Sequence, residues 1–211
     1  GVARSYGFKR QHLGHDMMGQ VGTPVVAVES GYVEALGWNQ YGGWRLGIRS
    51  FDHKRYYYYA HLRKNYPYQS GLEVGSVVQA GDVIGYLGRT GYSRTENTNN
   101  INDPHLHFGL ELIFDESQKD SNNEIWVSCY ELVKFLNLNR CEAVKVEGTK
   151  EWKRLYGIKD PLVPVQPATP SQAGPAAESQ AEPQTESQAG PRTESQAGPQ
   201  TDPQAGSQAE S

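Results

Sequence analysis

Cysteine and methionine are scarce, with two of each in 211 residues, and no stretch approaches the roughly 18 consecutive apolar residues of a membrane span. Two thiols are too few for a disulfide framework. Cys129 and Cys141 flank a helix predicted over Tyr130–Leu138, whose rise of about 1.5 Å per residue keeps them beyond disulfide reach. Two free, partly buried thiols are therefore expected. No charged-then-apolar leader opens the chain, which begins at Gly1 and reads as a fragment or a processed product.

A strong charge of either sign is missing too. The net charge is -4, from 20 basic and 24 acidic residues. One of those basic residues, Arg192, and six of the acidic ones fall after residue 160, leaving 19 against 18 in residues 1–160. A near-neutral domain has no basic stripe to track a phosphate backbone, which excludes nucleic acid as the expected partner.

Large apolar residues almost vanish from about Pro161 onward, where Gln, Ala, Glu, Ser, Pro and Gly take over. Such a composition cannot bury enough surface to offset the entropy of ordering. Residues 1–160 are thus expected to form one folded domain and 161–211 a disordered, low-complexity tail. Ser-Gln-Ala recurs at 171, 179, 187 and 195 and Pro-Gln-Ala at 203, a period too short and polar for a solenoid. A flexible spacer or stalk and a repeat without a role fit equally well.

Residues 20–112 read as short strands separated by turns, the pattern of an all-β, antiparallel domain. Val25–Val28, Tyr32–Leu36, Trp44–Arg49 and the tyrosine-rich Arg55–His61 are predicted strands, with turns at Gly42-Gly43 and at 51–54, where His53 is an exposed turn residue. Glycines interrupt the apolar runs of 77–88 and predict tight corners. Residues 92–104 are polar and read as a long surface loop leading into a strand at 105–112. After a second polar loop, Ser128 and Glu131 have the spacing of a capping box ahead of the helix.

Six histidines stand at 12, 15, 53, 61, 105 and 107. In a strand over 105–112, His105 and His107 share one face while Leu106 and Phe108 point to the core. His12 and Asp16 add a second imidazole and a carboxylate, so the pieces together supply a zinc-type donor set with room for an open position. Closed structural zinc sites use thiolates, and both cysteines lie in the wrong segment for that. Each piece alone is common by chance, and their joint occurrence is what points to a metal.

Five separated motifs then align with one family. Arg10-Gln11-His12-Leu13-Gly14-His15-Asp16, the run Gly22 to Val33, Tyr59-Ala60-His61-Leu62, Gly81 to Gly85 with Gly88-Arg89-Thr90-Gly91, and Pro104-His105-Leu106-His107-Phe108 resemble the lysostaphin/LytM-type metallopeptidases in order and spacing over roughly residues 6–136. The resemblance implies a mainly β, duplicated hybrid-motif fold of compact antiparallel sheets with a narrow groove. One C-terminal helix and the disordered tail complete the expected fold.

It also implies a zinc endopeptidase acting on peptidoglycan peptides in the bacterial cell envelope or outside the cell, expected as a monomer. By the same resemblance His12, Asp16 and His107 would hold one Zn2+, and His61 and His105 would be the catalytic pair. His15 is assigned to the groove wall, with replacement of His12 as its alternative. A three-ligand zinc brings the pKa of its water near 7, and two further imidazoles can take a proton or stabilise an oxyanion. Which of the two is the base stays open.

The sequence departs from the family pattern in the longer 92–104 loop and in Asp103-Pro104 where Gly-Pro is usual, which leaves cleavage specificity undefined. On their own, His61 reads as a strand-end residue packed on tyrosines and Tyr56–Tyr59 as core and edge packing, with alternate rings available to the groove. Two rival functions are a non-catalytic binding or scaffold module of the same fold and a histidine phosphocarrier. Retention of all five residues argues against the first, and an Asp16 that a phosphocarrier does not need argues against the second.

Overall fold

The computed structural model describes residues 13–119 and 123–164. His12 and the repeat tail with its predicted disorder lie outside the described residues.

Among the described residues eleven strands and one α-helix follow one another. They are β1 (His15–Met18), β2 (Pro24–Val26), β3 (Gly31–Asn39), β4 (Gly43–Ser50), β5 (Arg55–Ala60), β6 (Val77–Val78), β7 (Val83–Tyr86), β8 (His105–Leu112), β9 (Ile125–Trp126), α1 (Tyr130–Leu138), β10 (Ala143–Lys145) and β11 (Trp152–Arg154). The main sheet runs β1-β8-β5-β4-β3-β6, with β9 on β8, and β2–β7 and β10–β11 form two further pairs. Every pairing is antiparallel. The fold is mainly β, as expected.

Period-two alternation sorts the side chains. Tyr57 and Tyr59 of β5 and Leu106 and Phe108 of β8 enter one core with Val33, Leu46 and Ile48, each fully buried chain of that size contributing about 1.5–3 kcal/mol. Tyr59 packs on Phe108 with ring centroids 5.4 Å apart. The opposite face of β1, β8 and β5 carries Asp16, opposite His107, which in turn lies opposite Ala60. Burial of one face therefore delivers His105, His107 and Asp16 to the other.

Several local expectations change. The strand at 15–18 has no apolar alternation to announce it and forms because β8 offers it an edge. The polar loop before the helix contains a 3-10 turn, Glu116–Gln118, and the strand β9. The helix spans Tyr130–Leu138 as predicted, but its N-cap is Cys129 and no side chain caps it. Packing of the Cys129 side chain into the core sets where the helix begins, so the Ser128–Glu131 capping box does not form. Both cysteines are free, with Cys129 buried, but Cys141 is exposed instead of partly buried. His53 does occupy an exposed turn, at φ 60°.

Candidate active site

Three elements meet at a groove of about 370 Å³ lined by Asp16 of β1, Tyr58 and Ala60 of β5, His61, and His105 and His107 of β8. Tyr41, Gly42, Tyr92, Asn100 and Ile101 complete its walls. Residues from the 92–104 loop thus border the groove.

His107 Nδ1 lies 2.9 Å from Asp16 Oδ1, and its Nε2 lies 3.1 Å from the Leu13 carbonyl. The ring is thus held between the Leu13 carbonyl and the Asp16 carboxylate, and donation of Nε2–H to the carbonyl would leave Nδ1 beside Asp16 for a metal ion. Gly14 makes this approach possible. Its φ is 148°, and a Cβ there would fall 2.7 Å from His107 Nε2 and from the Phe108 carbonyl oxygen.

His105 Nδ1 is 2.7 Å from the Asp103 carbonyl, and its Nε2 is 3.9 Å from Asp16 Oδ1. His61 Nδ1 is 2.8 Å from the Thr90 carbonyl. In the neutral tautomer that donates through Nδ1 to these carbonyls, Nε2 is the acceptor nitrogen of each ring. Their centroids are 4.8 Å apart, and that of His61 is 5.9 Å from that of His107.

His61 reaches this place through its backbone. Strand alternation would carry it to the core beside Tyr59, but at φ 60° the chain leaves the strand, with the His61 N–H donating to the Gly42 carbonyl at 2.7 Å. A left-handed β-strand exit costs energy that the surroundings must supply. Gly91, at φ 121°, lets Tyr41 and His61 close on it, because a Cβ would stand 2.4 Å from the Tyr41 oxygen and 3.0 Å from His61 Nδ1. His61 is 5% exposed. Burial first, and then the neighbouring His105, depress its pKa to about 4, so the ring is neutral near pH 7.

His15 is not part of the groove wall. Alternation turns it to the other face of β1, into a second, more apolar cleft with Tyr130 and Val133, where its ring lies 6.0 Å from that of Tyr130. Tyr58, Tyr41, Tyr92, Asn100, Ile101 and Thr90 received no individual role from the sequence. Thr90 has the clearest signal, a threonine between Gly88 and Gly91 in a quoted motif, and it is fully buried.

Among the described residues no group of three or more His, Cys, Asp or Glu side chains is arranged to hold a metal ion. His12, the third expected ligand, lies outside them. Asp16 and His107 nevertheless make a mixed oxygen and nitrogen pair of the type zinc takes, and their 2.9 Å separation is a few tenths of an ångström below the spacing of about 3.3 Å for two ligands at about 2.0–2.1 Å from one tetrahedral zinc. These two residues fit the ion.

Comparison with known proteins follows the same residues. Over 110 residues, 52% of this chain, the sequence is 40% identical to the L-Ala–D-Glu endopeptidase of Bacillus subtilis, covering 32% of that protein. It is 39% identical to lysostaphin of Staphylococcus simulans over 98 residues, 46% of this chain and 17% of lysostaphin. The chain thus matches a third or less of the length of either relative. A crystal structure from Ruminococcus gnavus, named for a LytM glycyl-glycine endopeptidase, superposes with a TM-score of 0.53 at 38% identity, covering 64% of this chain and 51% of that one. The profile of Peptidase family M23 matches residues 10–121, and with the groove falling inside that span the chain belongs to Peptidase family M23.

Proposed function

We propose that this domain is a zinc-dependent endopeptidase that hydrolyses peptide bonds of bacterial cell-wall peptidoglycan. The observation that carries this reading is the convergence of Asp16, His107, His61 and His105 on one groove from β1, β8 and the end of β5. The similarity to proteins named as L-Ala–D-Glu and glycyl-glycine endopeptidases supports the substrate class. Because those names cover two different bonds, the proposal stops at wall peptides. Such peptides lie outside the cytoplasmic membrane, so the enzyme works extracytoplasmically. Among the described residues no helix is long and apolar enough to cross a membrane.

Asp16 and His107, with His12, would hold the zinc. When bound, the ion supplies water of lowered pKa and polarises the peptide carbonyl. The remaining chemistry belongs to the protein. His61 and His105 present Nε2 lone pairs to the same space, so either can accept a proton from the attacking water and return it to the leaving amine. The ring that has taken the proton donates it in a hydrogen bond to the developing oxyanion before the leaving amine receives it. Thr90 and Asp103 hold the two rings in the tautomer that this exchange needs. The Leu13 carbonyl does the same for His107.

The test joins metal content to digestion of purified walls. Stoichiometric zinc, release of peptide fragments by the wild type and their loss in His105→Ala are expected. Zinc binding with undiminished cleavage by His105→Ala would remove the catalytic assignment, and wild-type protein that holds no zinc after growth in zinc-replete medium would remove the metallopeptidase reading. Zinc binding without cleavage by the wild type would favour the non-catalytic module.

A further inference from the structure

The 92–104 loop is long and polar, yet it is tied down at specific points. Asn97 is the centre of one tie. Its Oδ1 accepts from Trp44 Nε1 at 2.9 Å and from the Asn65 amide at 2.8 Å, while its Nδ2 donates to Asn65 Oδ1 at 2.6 Å. Both asparagines are left-handed, at φ 59° and 66°, a conformation their short polar side chains tolerate. The Asn97 side chain therefore bonds both the backbone N–H and the side chain of Asn65, a clasp between the loop and the segment that follows His61.

The second tie lies at the groove. Asn100 Nδ2 donates to the Tyr92 carbonyl at 2.8 Å, and Tyr92, itself at φ 48°, stacks on His61 with centroids 5.9 Å apart and planes 24° from parallel. Backbone bonds from Gly91 to Thr98, from Ile101 to Arg89 and from Tyr92 to Tyr41 bind the stretch between the two ties. Tyr92, Asn100 and Ile101 face the groove, whereas Asn97 and Asn65 do not line it.

We propose that the Asn65–Asn97 clasp is a positioning device that holds the 92–104 loop as a preformed selectivity wall, with Tyr92, Asn100 and Ile101 as the surface that discriminates between wall peptides. The inference rests on the proposed peptide-binding role of the groove. A wall already in place selects by refusing shapes that a yielding loop would accommodate, since discrimination needs clashes against the wrong partner as well as contacts to the right one. The clasp acts at a distance, through the loop, and touches no reacting atom.

The experiment uses the full chain and two probes, pentaglycine and a stem tripeptide containing the L-Ala–D-Glu bond. Their kcat/KM values are measured on the wild type, Asn97→Gly, Asn65→Gly and the double variant, and their Kd values on the same set in a His105→Ala background. Glycine keeps the left-handed backbone without strain; Asn65→Gly removes the side-chain bond alone, while Asn97→Gly removes both bonds to Asn65 and the one from Trp44. The expected result is a fall in the preference ratio between the two peptides of about fivefold or more in Asn97→Gly, in the same direction but smaller in Asn65→Gly and no larger in the double than in Asn97→Gly, with kcat on the preferred peptide held and KM raised. A ratio unchanged in all variants, including one accompanied by lower thermal stability, overturns the proposal, as does failure of either peptide to bind. If the wild type cleaves neither peptide while the Kd ratios shift as stated, the hydrolysis reading fails and the wall stands.

Discussion

Thr90→Val is the most revealing single substitution in this domain. The side chain is fully buried, and its Oγ1 donates to the Leu62 carbonyl at 2.6 Å while accepting from the Trp44 amide at 3.1 Å. Valine has nearly the same shape, so packing is kept and the hydroxyl alone is lost. One carbonyl and one amide then lose their partner, and each unsatisfied buried group costs about 1–3 kcal/mol, for a total of about 2–4 kcal/mol allowing for relaxation around them. The Thr90 carbonyl also accepts from His61 Nδ1, so a shift of this segment loosens the imidazole. Urea unfolding of the zinc-free protein should show the midpoint falling with an unchanged slope. Thr90→Ser should recover most of the loss, and cleavage by Thr90→Val should fall through kcat. A Thr90→Val midpoint within about 0.5 kcal/mol of wild type would refute the assignment of these two hydrogen bonds.

Three further outcomes are expected. His61 is buried neutral with a folded pKa of about 4 against about 6.5 unfolded. The unfolded state thus takes up a proton that the folded state refuses. Stability contributed by the neutral ring is complete above pH 6.5 and is lost as the pH falls towards 4, by at most about 3 kcal/mol. Zinc-free urea titrations at several pH values should show a shallower acid decline in His61→Gln, and an identical decline would disprove it. Arg49, 4% exposed at its side chain, joins Glu34, Glu116 and the His53 carbonyl. Arg49→Met should cost about 1–3 kcal/mol, read from the unfolding midpoint, because Glu34 keeps Lys119 while the His53 carbonyl loses its donor. Finally, chelation should abolish wall cleavage and lower the melting temperature, with zinc restoring both. A melting temperature indifferent to chelator would argue against a bound ion.

Much of the site was legible because its signals are local. The alternation around His105 and His107 needs only a strand, and β8 runs from His105 to Leu112 with Leu106 and Phe108 in the core. The helix over Tyr130–Leu138 was equally readable from its flanks. What failed locally failed because a distant partner intervened. Ser128 lost its capping role when Cys129 was drawn into the core, and His15 left the groove because β1 pairs with β8 in a register that faces Asp16 towards His107.

The sequence by itself determined the mainly antiparallel architecture, since alternation and glycine corners are properties of neighbouring residues. It also determined which residue types were available for metal and proton chemistry. Tertiary structure alone decided how they meet. The left-handed exit at His61 towards Gly42, the Thr90 carbonyl that holds the His61 ring, and the Asn65–Asn97 clasp all join segments far apart in the chain. A hydrogen bond between distant residues has no sequence period to reveal it.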